Sequence, residues 1–95
     1  MKLAIKPSFL ASALLQELPV RRGVLKMLEV AGKLSVGELL NHQGVHLEKL
    51  KDLTAPDGSP LYSLRATRSA RAIASVDGDT LTLRYVESDH GKAYH

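Results

Sequence analysis

Three arginines stand close together in the segment 61–74, LYSLRATRSARAIA: they are Arg65, Arg68 and Arg71. No acidic residue lies between Asp57 and Asp77 to neutralise them along the chain. An arginine side chain is rarely buried without a partner, and its planar guanidinium matches the oxygens of a phosphate group bidentately. The segment therefore either faces water as a solvated surface or binds an anionic partner.

The sequence around these arginines has the composition and alternation of β-strands. A short connection joins residues 60–67 to residues 70–77. The turn Asp77-Gly78-Asp79 then leads into residues 80–87, and its composition is typical of a tight hairpin. The pattern predicts an antiparallel meander of three strands.

Strand alternation also predicts which side chains share a face, because successive side chains point to opposite sides of a strand. If the apolar positions face a hydrophobic core, Arg65, Arg71 and Arg84 emerge together on the other, open face. Arg68 falls in the connection, where we expect it to be solvated only. The positions predicted to face the core are Tyr62, Leu64, Ala66, Ala72, Ala74, Val76, Leu81, Leu83 and Tyr85.

Residues able to transfer protons near neutral pH flank the three strands. His46 precedes them in HLEKLK, which also carries Lys49 and Lys51, and His90 and Tyr94 follow them in DHGKAYH. We expect the histidines and the tyrosine to border the arginine face. The two lysines are expected to extend its positive charge.

Two histidines, His42 and His46, have the i, i+4 spacing at which a helix can present a metal-binding pair. Gly44 stands between them and disfavours a regular helix at that place. We therefore expect no metal site here and no cofactor in the chain.

An exposed cationic face is unfavourable when no carboxylate lies among its strand neighbours, because like charges repel. One interpretation is a solvated surface that is balanced by acidic residues arriving from loops, such as Glu48, Asp52 or Asp89. The interpretation that we favour is a phosphate-binding surface, whose simplest ligand is RNA or DNA.

The first third of the sequence predicts the elements that support this sheet. Residues 2–6, KLAIK, alternate as a strand, and Pro7 ends the strand and opens a helix that continues to Leu18. After Pro19 a second helix is predicted to continue until Gly32, a natural stop. The predicted apolar stripes are Phe9, Leu10, Ala13, Leu14 and Leu18 in the first helix, and Val20, Val24, Met27, Leu28 and Ala31 in the second.

The stretch between the helices and the meander has weaker patterning. Ser35 and Glu38 have the spacing of a capping box, which predicts a short extra turn of helix over residues 36–41. Residues 46–53 are predicted to be an ordered connector. The predicted order is β-α-α-β-β-β, an α+β fold in which a helical hairpin covers one face of a small antiparallel sheet.

Length and composition are those of one small domain, residues 1–95. The chain has no cysteine, which excludes disulfides and thiolate chemistry and fits a reducing cytoplasm. Its formal net charge is +3 and its pI is near 9.4, values that suit an anionic partner. No apolar run approaches the roughly 18 residues of a membrane span, so we expect a cytoplasmic protein without a membrane partner.

The ordered series HLEKLK, LYSLR, ARAIASVDGDTLTLRYV and DHGKAY resembles the RelE/ParE superfamily of type II toxin-antitoxin toxins. The resemblance covers the whole chain, since the preceding strand and helical hairpin fit the same order. It implies a compact β-α-α-β-β-β fold and a cognate antitoxin protein that masks the toxin. RelE-like members cut mRNA in the ribosomal A site, whereas ParE-like members inhibit DNA gyrase and cut nothing.

The RelE-like branch implies a role for each candidate site residue. The resemblance makes Arg65 and Arg71 binders of the scissile phosphate, assisted by Arg84. It makes His46 and His90 the candidates for acid and base. The remaining matches are Tyr94, which would stack on or orient a base, and Lys49 and Lys51, which belong to the basic connector.

Three functional hypotheses follow from the sequence. We favour a ribosome-dependent endoribonuclease toxin, whose partners are the antitoxin, the ribosome and mRNA, because several basic groups gather near the candidate catalytic position. The second hypothesis is a ParE-like inhibitor of DNA gyrase that is not an enzyme. The third is a nucleic-acid-binding or scaffold protein that has kept the fold without toxicity.

Overall fold

The computed structural model describes residues 1–88 of the chain. Within them, the predicted order β-α-α-β-β-β is confirmed, with one short helix and one strand added between the helical hairpin and the meander. The elements are β1 (Lys2–Ile5), α1 (Pro7–Leu14), α2 (Leu18–Lys33), α3 (Val36–Leu40), β2 (Glu48–Thr54), β3 (Pro60–Arg65), β4 (Ala70–Asp77) and β5 (Thr80–Ser88). Among the helices of residues 1–88, none has the length and hydrophobicity of a membrane-spanning segment.

The strands form a mixed five-stranded sheet in the order β1-β5-β4-β3-β2. Only β1 runs parallel to its neighbour, β5, and the other adjacent strands of the sheet are antiparallel. The predicted turn between β4 and β5 is confirmed: Asp77 pairs with Thr80, and Gly78 takes a φ of 59°. Glycine suits this position because a left-handed backbone is costly for a residue with a Cβ.

The helical hairpin covers one face of the sheet, as predicted. Its buried side chains are Phe9 of α1 and Val24, Met27 and Ala31 of α2. They pack in one core with strand residues that the alternation assigned to the helix side, among them Leu64, Ala72, Ala74, Leu81 and Leu83. The other face of the sheet is the open face, which carries a small apolar cluster, Ala55, Leu61 and Ile73, and two buried serines, Ser63 and Ser75.

Two details of the helices differ from the prediction. Leu10, Leu14 and Leu18 were expected to be buried, but each is more than half exposed. The helix α1 is only eight residues long, and it approaches β5 through Ser12, whose Oγ accepts a hydrogen bond from the backbone N–H of Val86 at 2.8 Å. Phe9, which is buried, and Ser12 thus form the sheet-facing side of α1, and Leu10 and Leu14 lie on its other side. Leu18 is the first residue of α2, because α1 ends at Leu14 and not at the predicted Leu18. In α2, Gly32 does not stop the helix, which continues through residue 33.

A β-bulge between β4 and β5 changes the predicted face of one aromatic residue. Ile73 pairs with Tyr85, but the next residue of β4, Ala74, pairs with Leu83, so β5 carries Arg84 as an extra residue. Strict alternation put Tyr85 in the core, and this prediction is wrong because the extra residue reverses the alternation beyond it. Tyr85 shares the open face and is 38% exposed, and Val86 fills the core in its place.

The segment predicted as a connector contains the edge strand β2. Its pairing with β3 is regular at Glu48 and Lys49 and shifts before Thr54, and Asp52 has a φ of 61°. The predicted capping box ahead of it is confirmed, since the Ser35 hydroxyl and the Glu38 carboxylate each accept a backbone hydrogen bond from the other residue. The connector prediction failed because irregular pairing hides the two-residue period of a strand.

Candidate functional site

The two strand arginines at the centre of the site face each other across the sheet. Arg65 ends β3 and lies directly opposite Arg71 of β4, and Arg71 lies opposite Glu87 of β5. Directly opposite residues of antiparallel strands have Cβ atoms about 4.5–5.5 Å apart and share a face. The structure therefore confirms that the strand pleat projects Arg65 and Arg71 together onto the open face.

A cavity of about 350 Å³ lies at this end of the open face. All three arginines of the 61–74 segment line it, together with residues from β2, β3 and the turn between β3 and β4. The lining residues are His46, Glu48, Ser63, Arg65, Thr67, Arg68, Ser69, Ala70 and Arg71. The cavity can therefore hold an anionic group against several guanidiniums.

The turn between β3 and β4 fixes the place of Arg68 in this wall. The carbonyl of Ala70 accepts hydrogen bonds from the N–H groups of Ala66 and Thr67, and the Thr67 hydroxyl accepts one from the N–H of Ser69. Arg68 is exposed in this turn, in line with the expectation that it is solvated, and it also lines the cavity with Arg65 and Arg71, which the sequence did not predict.

The charges of the cavity are only partly balanced. Nε of Arg71 donates to Oε1 of Glu87 at 3.1 Å, which forms an ion pair between half-exposed side chains. This contact corrects the expectation that no carboxylate lies among the strand neighbours. In residues 1–88, neither Arg65 nor Arg68 forms an ion pair. Within the described part of the chain, one arginine is thus oriented by a carboxylate, and the other two have no ion-pair partner.

His46 lies beside Arg65, as the sequence predicted. Its backbone has a φ of 45°, and its N–H donates to the carbonyl of His42 at 2.8 Å. The adjacent carbonyl of Val45 accepts the N–H of Arg65 at 2.7 Å, which ties this segment to the end of β3. His46 is exposed and lines the cavity, so its imidazole is within the site that the arginines form.

His42 has a different task from His46. Its Nδ1 accepts hydrogen bonds from the N–H groups of Gly44 at 3.1 Å and Val45 at 2.9 Å. These bonds hold the turn that leads into the site. The imidazole of His42 therefore acts as a cap for the turn, and the spacing of the two histidines reflects this local structure.

Glu48 lines the cavity, where the sequence suggested it only as an acidic residue that could balance the arginines. It pairs with Ser63 on the neighbouring strand, which places both residues on the face of Arg65 and Arg71. Its exposed carboxylate is a second group in the cavity that can exchange a proton. Glu48 lies two residues after His46, and this spacing could have indicated that both face the cavity if residues 48–54 had been recognised as a strand.

The remaining basic candidates lie away from this cavity. Lys49 and Lys51 line a separate groove of the β2 edge, with Leu50, Asp52, Leu53, Thr54 and Pro60. Lys49 pairs with Tyr62, a residue of the helix-facing side, so the prediction that the lysines extend the arginine cavity is wrong. For Lys49 the reason is ordinary alternation, because the adjacent Glu48 lies on the open face, whereas Lys51 falls in the stretch of β2 where the pairing with β3 shifts.

Arg84 shares the open face but not the cavity. Its Nη1 donates to Oγ of Ser75 at 3.1 Å. Ser75 is four residues along β4 from Arg71, which corresponds to about 13 Å of strand. Two hydrogen bonds from Ser59 lower the pKa of the Asp57 carboxyl, and the charge of Arg84 contributes to the same shift. The hydrogen bond to Ser75 therefore holds Arg84 at the other end of the open face from the arginine cavity.

Two predicted site residues, His90 and Tyr94, lie outside the described residues. Within residues 1–88, no group of three or more histidine, aspartate and glutamate side chains is placed to hold a metal ion. The site that the structure describes consists of Arg65, Arg68 and Arg71 with His46 and Glu48. Such a set can bind a phosphate group and place two proton-exchanging groups beside it.

Comparison by sequence finds no match: no protein-family model matches the chain, and no curated protein matches it significantly. Comparison by structure finds solved proteins of the same fold. The RelB-RelE antitoxin-toxin complex from Methanococcus jannaschii contains a chain that superimposes with a TM-score of 0.68 at 14% identity, over 96% of this chain and 95% of that one.

Two further solved structures resemble the chain over nearly their whole length. The YoeB dimer from Staphylococcus aureus gives a TM-score of 0.60 at 18% identity and covers 90% of this chain and 92% of that one. A copper-bound mutant toxin from Helicobacter pylori gives 0.57 at 18% identity and covers 96% and 97%. The chain therefore has the RelE/YoeB-like toxin fold that the sequence resemblance implied.

Proposed function

We propose that this chain is the toxin of a type II toxin-antitoxin pair and that it cleaves mRNA on the ribosome. The observation that carries the proposal is the pair Arg65 and Arg71, which lie directly opposite each other in one cavity with His46 and Glu48. The toxin fold and the RelE-like resemblance of the sequence support the same function. Ribosomes and mRNA would place its action in the cytoplasm.

The proposed reaction is an attack of a ribose 2′-hydroxyl on the adjacent phosphate. A base removes the 2′-hydroxyl proton, the new P–O bond closes a cyclic phosphate, and an acid protonates the leaving 5′-oxygen. His46 and Glu48 are candidates for these roles in the cavity, and His90 remains a candidate from the sequence. No oxidant, metal or cofactor takes part in this scheme.

The arginines stabilise the charge that develops on the phosphoryl oxygens in this scheme. Guanidiniums that are already in place at the position of the developing charge lower the barrier without reorganisation during the reaction. Glu87 would hold Arg71 in position, while Arg65 and Arg68 would contact the phosphate directly. Tyr94 is proposed to orient a base, and Arg84 is proposed to contact the RNA backbone away from the scissile group.

The proposed partner protein is an antitoxin. One of the structures with this fold was solved as an antitoxin-toxin complex, and this supports a masking partner for the present chain. The side chains of Leu10, Leu14 and Leu18 on the helical hairpin are more than half exposed. Exposed apolar surface of this kind is typical of a protein–protein interface.

The test is induction of the chain in growing bacteria, followed by mapping of transcript ends. The proposal expects growth arrest with new 5′ ends inside coding regions, and it expects cleavage to require translation. Arg65→Ala should abolish cleavage, while Arg22→Ala, which removes an exposed arginine of α2, should not. Growth arrest with intact transcripts and inhibited DNA supercoiling would instead indicate the gyrase inhibitor, and harmless expression would indicate a non-toxic binding protein.

A further inference from the structure

An aromatic side chain emerges on the open face next to the arginine cavity. The bulge at Arg84 turns Tyr85 onto this face, where it is 38% exposed. A residue on a solvated face of a sheet is usually polar, as Thr82 and Ser75 are farther along the same face. In residues 1–88 the hydroxyl of Tyr85 makes no hydrogen bond, so no polar contact explains its place there.

The position of Tyr85 relative to the arginines is set by the strand register. Tyr85 pairs with Ile73, and two residues farther along each strand Arg71 pairs with Glu87. Tyr85 is thus the diagonal neighbour of Arg71 on one face, at about 7–8 Å. A nucleotide carries its base and its phosphate on the same sugar. An aromatic ring beside a guanidinium can therefore bind the base while the guanidinium binds the phosphate of the same nucleotide.

The strand position that carries Tyr85 is packed at its neighbour. Its cross-strand partner Ile73 is 1% exposed and belongs to the small cluster with Ala55 and Leu61. Tyrosine also has only two rotatable side-chain bonds, which keeps the entropic cost of ordering low.

We propose that Tyr85 is a stacking platform for a nucleobase of single-stranded RNA whose backbone phosphate lies on Arg65 and Arg71. This inference rests on the proposed function, because it assigns a base-binding subsite to the same ligand. Unpaired bases of single-stranded RNA are commonly bound by stacking on aromatic side chains. Stacking contacts only the flat face of a base, which all bases have, so the subsite should accept any base.

The test measures binding of the full-length chain to two labelled oligomers by fluorescence anisotropy. One is a 2′-O-methyl single-stranded RNA, which binds but offers no 2′-hydroxyl for cleavage. The other has the same backbone with abasic residues, so it reports the phosphate contacts alone. Wild-type protein should bind the base-bearing oligomer more tightly than the abasic one.

Tyr85→Ala should weaken binding of the base-bearing oligomer by roughly 5- to 150-fold and leave the abasic oligomer unchanged. Tyr85→Phe should retain the wild-type preference, because it keeps the ring. Thr82→Ala, a change on the same strand and face, should alter neither affinity. Circular dichroism melting of each variant confirms that it is folded before binding is measured.

Two sets of results would overturn the inference and remain distinguishable. If Tyr85→Ala binds the base-bearing oligomer as tightly as wild type, or loses equal affinity for both oligomers, Tyr85 is not a stacking platform, although phosphate binding stands. If folded wild-type protein binds neither oligomer even at low salt, phosphate binding itself fails, and the stacking subsite fails with it.

Discussion

Arg65 and Arg71 occupy directly opposite positions on β3 and β4, so two positive charges share one cross-strand pair. Like charges in such a pair destabilise a sheet. Glu87 relieves the repulsion at Arg71 but not at Arg65, which forms no ion pair within residues 1–88. A surface kept only for stability would place a neutral or acidic residue opposite Arg71, and this arrangement therefore favours a ligand-binding role.

Arg65→Thr should make the fold more stable while it weakens function. Threonine suits a strand and removes the repulsion with Arg71, so we expect a gain of about 0.2–1 kcal/mol in the free energy of unfolding. Urea denaturation measures this value. Arg71→Thr is the matched control, because it removes the same repulsion but also breaks the ion pair with Glu87. A loss of stability for Arg65→Thr would show that the cross-strand pair is not strained.

Arg65 of the cavity and Lys51 of the β2 edge should differ in how strongly their loss changes the salt dependence of RNA binding. A contact to a single-stranded backbone contributes a slope of about 0.7 to the dependence of the logarithm of affinity on the logarithm of salt concentration. Arg65→Ala should lower the slope by about that amount. Lys51→Ala should lower it less, since Lys51 lines a separate groove. A larger effect at Lys51 would place the RNA on the β2 edge instead.

The proton-exchanging groups of the cavity should act in cleavage rather than in folding. Replacing a general acid or base typically lowers a rate by about 10²–10⁴. We expect Glu48→Gln or His46→Gln to reduce cleavage on translating ribosomes within this range, without loss of affinity for the 2′-O-methyl oligomer. Both side chains are exposed, so thermal melting should change little. If each variant retains wild-type cleavage, the acid and base are elsewhere in the chain.

The strand pleat explains why much of this site could be predicted from the sequence. Alternation alone places Arg65 and Arg71 on one face, because both lie in regular parts of β3 and β4. The Asp77-Gly78-Asp79 turn and the capping box at Ser35 were equally predictable, since each depends on residues near one another in sequence. Local geometry was thus sufficient for the centre of the candidate site.

Other features depend on contacts between distant segments. The bulge at Arg84 reverses the faces of Tyr85 and Val86, and no residue type in β5 marks it. The ion pair of Arg71 with Glu87 follows from the register beyond that bulge. The irregular pairing of β2 similarly separates Lys51 from the cavity. These positions were mispredicted because a shift of one residue in the strand register changes which side chains meet.

Two glycines of α2 should respond in opposite ways to alanine. A Cβ added at Gly23 would lie 2.4 Å from the carbonyl oxygen of Ala66 and 2.6 Å from Cγ2 of Thr67, in the turn that carries Arg68. Backbone must shift to admit it, so Gly23→Ala should cost about 1–3 kcal/mol. At Gly32 the nearest atom is Cδ1 of Leu3 at 3.8 Å, an ordinary contact.

Gly32→Ala should therefore stabilise the protein by about 0.5–1 kcal/mol, because alanine loses less backbone entropy in a helix. Chemical denaturation of both variants under the same conditions gives the comparison. The Gly23 variant should also bind the RNA oligomer more weakly, since the displaced turn moves Arg68 from the cavity wall. Equal stability of the two variants would mean that the helix and the turn are not in close contact at Gly23.

The turn between β2 and β3 should make stability depend on acidic pH through Asp57. Its Oδ1 accepts hydrogen bonds from the hydroxyl of Ser59 at 2.6 Å and from the N–H of Ser59 at 3.0 Å, and these bonds lower the pKa of the carboxyl below its ordinary value of 3.8. Because the folded pKa is lowered, ionised Asp57 stabilises the fold at pH values above the ordinary one. This contribution is lost as the pH falls through the lowered value.

We expect Asp57→Asn to melt at a lower temperature than wild type at neutral pH, with a difference that shrinks as the pH falls below 3.8. Thermal melts across the acidic range measure it, and a difference that persists unchanged at the lowest pH would assign the effect to the shape of the side chain instead of its charge.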